Sequence, residues 1–226
     1  MSRIVFENSD RSLDVGKILC LGRNYAAHAR EMGGDVPESP VVFLKPATAI
    51  IHDGDNVVLP GMSRDVHHEV EMVVVIGKKA RNVRADAAND YIEGYAVGLD
   101  MTLRDIQGAA RKKGEPWTIA KGFDTSAPIS AAVQRERIKD PHTLDIALKV
   151  NGAVRQHSNT SKMFFRIDFL VSYLSKIFTL EPGDLIFTGT PEGVGPVHAG
   201  DVMEAELEAV GALRVGVINE PAVSGT

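Results

Sequence analysis

Apolar residues along this chain fall in short runs, many of them β-branched, bounded by Gly, Pro, Asn and Asp. Runs of that length and make-up predict strands. Segments 17–21, 41–44, 56–59, 69–76, 95–100, 144–150, 185–188, 202–209 and 213–217 read this way. Asn151-Gly152 follows one of them, and both residues tolerate positive φ, so a hairpin is expected there. Pro182-Gly183-Asp184 marks a second turn. Helical spacing is rarer. In 167–178 it places Leu170, Val171, Leu174, Ile177 and Phe178 on one side. Segments 24–32, 85–91 and 102–112 are shorter helix candidates. The pattern predicts an α+β, β-rich chain: a short N-terminal arm at 1–16, then one catalytic-sized domain over 17–226 with a few helices packed on it.

Composition narrows the function classes. An apolar fraction of 44% with 24% charged residues is ordinary for a globular protein. A formal charge of −5 gives no electrostatic reason to expect nucleic acid. No stretch approaches the roughly 20 apolar residues that span a bilayer, and the opening MSRIVFENSD lacks the apolar run of a secretory signal. The single cysteine, Cys20, suits a reducing compartment. The expectation is a cytoplasmic protein without a membrane or nucleic-acid partner.

The chemistry starts at HHEVEMVVVIG, residues 67–77. On a continuous strand Glu69 and Glu71 share a face, roughly 6–7 Å apart. A solvated face, pairing with Lys or Arg, or a divalent cation would each relieve their repulsion, and Glu-x-Glu alone favours the solvated face. Asp100 changes the balance. It ends the apolar run GYAVGLD, where a sheet rim gathers loops and sites. Three carboxylates converging there could not all stay ionised without a cation. An all-oxygen set suits a hard ion, Mg²⁺ or Mn²⁺, with Ca²⁺ an alternative. His67 and His68 face opposite ways and read as structural.

Around this cluster, Arg104 and Gln107 are i,i+3 neighbours after Asp100. His28 and Glu31 share that spacing in GRNYAAHAREMGG, where a carboxylate would raise the basicity of the imidazole, and Gly33-Gly34 would let this short helix act as a lid. Lys45 in VVFLKPAT and Lys121 in WTIAKGF sit in apolar settings that call for an acidic partner or an anionic ligand. TGTPEGVGP lacks the ending of a phosphate loop, and its N–H groups with the Thr190 hydroxyl suit a carboxylate better.

Taken together, GRNYAAHAREMG, VVFLKPATAII, HHEVEMVVVIG, GYAVGLDMTLRDIQ, KKGEPWTIAKGFDTSAPI and LEPGDLIFTGTPEGVGP resemble the fumarylacetoacetate hydrolase family. The likeness is greatest to its short, single-domain acylpyruvase and oxaloacetate decarboxylase branch. The resemblance implies a mixed β-roll, a homodimer, and Mg²⁺ or Mn²⁺ on Glu69, Glu71 and Asp100. It also implies a catalytic His28–Glu31 dyad with Lys121, and substrate contacts from Arg23, Lys45, Arg104, Gln107 and Thr190. The implied activity is metal-dependent cleavage of the C–C bond of an acylpyruvate such as fumarylpyruvate, giving pyruvate and a carboxylic acid, with oxaloacetate decarboxylation overlapping. The alternative is an isomerase or tautomerase of 2-oxo diacids of the 2-hydroxyhepta-2,4-diene-1,7-dioate type, in aromatic catabolism.

Overall fold

A computed structural model describes residues 2–35 and 37–221. The fold is α+β and strand-rich, as the pattern predicts. Its centre is a six-stranded mixed sheet in the spatial order Val133–Gln134, Ile92–Leu99, Val70–Ile76, Leu185–Phe187, Lys17–Gly22, Val41–Pro46. Leu185–Phe187 runs parallel to Lys17–Gly22 and antiparallel to Val70–Ile76. Every residue of Val70–Ile76 is buried, because both sheet faces are covered. Val70, Met72, Val74 and Ile76 enter the larger core, whereas Val73 and Val75 enter a second one with Cys20 and Phe187. Two-residue periodicity puts Glu71 on the side of Val73 and Val75. The hairpin of Arg3–Val5 and Ser12–Asp14 presents Ile4 to that second core, which Phe6 also joins, so the expected arm is packed.

The second sheet orders Ala153–Asn159, Asp145–Val150, Val202–Leu207, Gly211–Asn219 and Asn56–Leu59. Asn151 (φ 52°) and Gly152 (φ 77°) make the expected hairpin turn. The strand beyond it, Ala153–Asn159, has no apolar alternation that predicts it. VRQHSN carries one apolar residue, Val154, and that one is exposed. Its inward positions are Gln156 and Ser158, polar residues that periodicity reads as solvated.

Other boundaries shift for local reasons. The helix expected over 102–112 is Arg104–Lys113, because Thr102 and Leu103 pair with His67 and Val66. It ends at Gly114 (φ 71°), with Arg111, Lys112 and Lys113 in its last turn complementing the helix dipole. Segment Ala85–Tyr91 is 3-10 rather than α-helical, and the helix expected over 24–32 spans Ala26–Glu31. Ile167–Ile177 buries Leu170, Val171 and Leu174, but Ile177 is half exposed; Ile167 takes the inward position instead. Among the described residues no helix is long and apolar enough to cross a membrane.

Candidate metal centre and active site

The site forms where strands change sheets. Val66–His68 pairs with Thr102–Leu103 in a small sheet, while Val70–Ile76 pairs with Ile92–Leu99 in the central one. Glu69 and Asp100 are the joints between them, and the Asp100 N–H donates to the Glu69 carbonyl at 2.8 Å. The single strand expected over 69–76 is therefore broken at its first residue. Glu69 leaves the ladder, and Glu71 stays in it opposite Gly98. A Cβ on Gly98 would sit 2.8 Å from the Phe187 ring and 2.9 Å from Val73, so only glycine allows this close pairing. Ligand oxygens of Glu69, Glu71 and Asp100 lie within 4.8 Å of one another at this joint. All three are buried.

Two of the acids meet cations directly. Lys121, the last residue of the helix Thr118–Lys121, places Nζ 2.7 Å from Glu69 Oε2 and 2.6 Å from Asp100 Oδ2, and donates to Thr102 Oγ1 at 2.6 Å. Arg104 Nη2 lies 2.5 Å from Glu69 Oε1, and its Nη1 donates to Gln107 Oε1 at 2.8 Å. Behind the cluster, Lys45 Nζ lies 2.8 Å from Asp100 Oδ1 while donating to the carbonyls of Met101 and Lys121. Asp100 Oδ1 thus has the Lys45 charge beside it but, among the described residues, no well-formed hydrogen bond.

Glu71 differs. Among the described residues it contacts no cation; the Gly189 N–H donates to its Oε2 at 2.7 Å. Gly189 adopts φ +95°, and a Cβ there would strike Asn24 Cβ at 2.7 Å, so the loop reaches Glu71 only as glycine. The two glutamates consequently titrate apart. Burial, then Asp100 and Glu69, pushes the Glu71 carboxyl well above the usual range. Burial would raise Glu69 too, but Lys121 and Arg104 outweigh it and hold that carboxyl far below the usual range. Burial likewise works against the Lys121 ammonium, but Asp100 and Glu69 overcome it and raise its pKa. A buried carboxylate without a cation, beside two that have one, is what a divalent ion would compensate. The oxygen-only donor set fits a hard ion such as Mg²⁺ or Mn²⁺.

His28 and Glu31 extend the site. His28 is buried, and its Nδ1 lies 3.1 Å from Glu31 Oε2, leaving Nε2 for the pocket. Glu31 also accepts the Gly193 N–H at 3.1 Å, so this carboxylate links the short helix to the 188–196 loop. His28 lines one pocket with Glu69, Glu71 and Asp100. Of the other expected residues, Arg23, Arg104, Gln107, Lys121 and Thr190 share that lining, and Glu31 stands behind His28. Arg23 holds φ 60°, a left-handed conformation rare outside glycine and often found at functional sites. Lys45 stands apart: it is enclosed behind Asp100 and, among the described residues, does not reach this lining.

Several residues that shape the site carry no sequence signal of their own. Asn24 is fully buried and donates to the Phe165 and Thr188 carbonyls at 3.0 and 2.8 Å, while accepting the Phe165 N–H at 2.7 Å. Thr102 receives Lys121, and Gln156 bonds to Thr190 and Val70. The signal for Asn24 is its place in GRNY next to the helix bearing His28; Thr102 and Gln156 become legible only once strands are paired.

Residues 17–218 match the sequence profile described as fumarylacetoacetate (FAA) hydrolase C-terminal. The chain belongs to the fumarylacetoacetate hydrolase family. Within it, oxaloacetate tautomerase FAHD1 of Homo sapiens, a mitochondrial protein, is 53% identical over 193 residues, 85% of this chain and 87% of that protein. Fumarylpyruvate hydrolase from Pseudomonas aeruginosa, solved with Mn²⁺ and pyruvate, superposes with a TM-score of 0.93 at 42% identity, covering 96% of each chain. The 5-carboxymethyl-2-hydroxymuconate delta-isomerase from Mycobacterium smegmatis gives a TM-score of 0.82 at 41% identity over 94% of this chain and 86% of that one. Fumarylacetoacetate hydrolase relatives of this likeness thus include both hydrolases and isomerases, and this chain is an enzyme of that family.

Proposed function

We propose that the protein is a divalent-metal-dependent acylpyruvate hydrolase, cleaving the C–C bond between the two carbonyl groups of an acylpyruvate. The observation that carries this reading is the His28–Glu31 hydrogen bond of 3.1 Å, with His28 lining the same pocket as the acidic triad. Glu69, Glu71 and Asp100 would hold the ion, Mg²⁺ or Mn²⁺, which when bound supplies a Lewis acid for the negative charge growing on the 2-oxo oxygen. His28 takes a proton from water through Nε2, and Glu31 steadies the imidazolium. The hydroxide so formed attacks the distal carbonyl carbon. The C3–C4 bond then breaks, its electron pair stays on C3, and a proton returns there to give pyruvate. Lys121 and Arg104 offset the substrate's charge, and Thr190 donates to its carboxylate.

Charge balance supports the reading. Glu69, Glu71 and Asp100 carry three formal negative charges, and Lys45, Lys121 and Arg104, paired with two of them, carry three positive ones, so the protein groups cancel formally. A divalent ion leaves two positive charges, which the carboxylate and the developing enolate of pyruvate would neutralise. Oxaloacetate decarboxylation passes through the same enolate without water.

The second reading is oxaloacetate tautomerisation, favoured by the 53% identity to the Homo sapiens tautomerase. There His28 would move a proton to and from C3 instead of activating water. One experiment separates the two. Protein with Mn²⁺ is given acetylpyruvate, fumarylpyruvate and oxaloacetate in turn, and both pyruvate release and enol absorbance are followed. Pyruvate from either acylpyruvate supports hydrolysis; faster keto–enol exchange of oxaloacetate without pyruvate supports the tautomerase. Silence in all three assays refutes both. A homodimer and a cytoplasmic setting belong to the same proposal, the latter in keeping with the reduced, buried Cys20.

A further inference from the structure

Gln156 comes from the second sheet, is 1% exposed, and uses both ends of its amide. Its Oε1 accepts the Val70 N–H at 3.0 Å and faces His68 Nδ1 at 3.1 Å. Its Nε2 donates to Thr190 Oγ1 at 2.8 Å and to the Pro191 carbonyl at 2.9 Å. The backbone partners fix which end is which. The Val70 N–H can only donate and the Pro191 carbonyl can only accept, so turning the amide over would break both bonds.

Two consequences follow. Val70 lies between Glu69 and Glu71, so one side chain ties the acid-bearing strand to the loop carrying Thr190. Thr190 Oγ1 already receives an N–H, and among the described residues its own proton has no protein acceptor. Thr190 lines the pocket. We propose that Gln156 is a positioning residue that occupies one lone pair of the Thr190 hydroxyl, holds it at a set distance from the acidic triad and leaves its proton to donate into the pocket, and so favours a carboxylate group on the ligand. The identity of that carboxylate as part of a 2-oxo acid rests on the function proposed above.

The test uses Gln156→Met, Gln156→Glu, Thr190→Val and the Gln156→Met/Thr190→Val double variant. Pyruvate binding to the Mn²⁺-loaded protein is measured by calorimetry, KM and kcat with acetylpyruvate by pyruvate release, and folding by thermal melts. Gln156→Met and Thr190→Val should each weaken pyruvate binding and raise KM by roughly tenfold or more, the size of one hydrogen bond to a charged group. kcat should fall much less. Gln156→Glu keeps the acceptor for Val70 but would take the Thr190 proton for itself, so it should do no better than Gln156→Met. The double variant should match the worse single one to within about threefold, because both remove one coupled interaction. Unchanged pyruvate affinity in Gln156→Met, effects that multiply in the double variant, or equal losses of KM and kcat that follow the melting temperature would each overturn the proposal. If the wild-type protein binds pyruvate yet turns over no substrate, the proposed function fails, and the pyruvate arm still decides the role of Gln156. If the wild type binds no pyruvate, both fail.

Discussion

Lys45 gives the sharpest energetic prediction. Its ammonium is enclosed, 2.8 Å from Asp100 Oδ1 and bonded to two carbonyls, so Lys45→Met removes a cation from a dry site without opening a large cavity. Breaking a buried ion pair from one side typically costs about 3–5 kcal/mol, because the remaining charge is stranded. Asp100 keeps Lys121 on its other oxygen, which argues for the lower end, while the carbonyls of Met101 and Lys121 lose a donor, which argues against going below it. At about 3 kcal/mol and roughly 2–4 °C per kcal/mol for a chain of this size, the melting temperature should fall by about 6–12 °C. The assay is urea unfolding of metal-free protein, with Asp100→Asn and the double variant alongside. Because Asp100→Asn removes the acid that Lys45 faces, the loss in Lys45→Met/Asp100→Asn should be smaller than the sum of the two single losses. A loss below about 1 kcal/mol in Lys45→Met, or a double variant whose losses simply add, would refute the reasoning.

Two further outcomes follow from the same charges. With its folded carboxyl raised above the ordinary 4.5 by burial, Asp100 and Glu69, Glu71 binds its proton more tightly folded than unfolded. Its contribution to metal-free stability is therefore lost as pH rises from about 4.5 through the folded value. Glu71→Gln should gain stability relative to wild type between about pH 5 and pH 8 in chelator, measured by urea unfolding, and a gap that stays flat or shrinks contradicts this. His28→Ala should slow acylpyruvate hydrolysis by about 10²–10⁴-fold, the usual worth of general-base assistance. Its Mn²⁺ affinity should stay near that of wild type, and a large loss of metal binding would reassign His28.

How far the sequence carried depended on whether a residue's partners are local. The strand blocks, the Asn151-Gly152 turn and the inward face of Leu170, Val171 and Leu174 follow from short-range periodicity. The His28–Glu31 and Arg104–Gln107 contacts do as well, since i,i+3 spacing on a helix leaves little choice. Glu69 joins the acidic cluster, but the unbroken sequence from Val66 to Ile76 hides a change of sheet at that residue, which only the pairing of Val66–His68 with Thr102–Leu103 reveals. The apolar setting of Lys45 calls for an acid or an anionic ligand, but nothing local says that the partner is Asp100, 55 positions later, which holds it behind the pocket and away from a substrate. Gln156 was invisible for the same reason. Its partners lie 86 and 34 residues away, one on a strand it never pairs with and one in a loop.

Metal-free protein titrated with Mn²⁺ by calorimetry, wild type against Glu71→Gln, tests the gathering of the three carboxylates most directly. One ion per wild-type chain is expected, with affinity falling in Glu71→Gln by more than the roughly 10–100-fold that loss of an outer partner brings. Equal affinities in the two proteins, or no Mn²⁺ bound by either, would contradict the account.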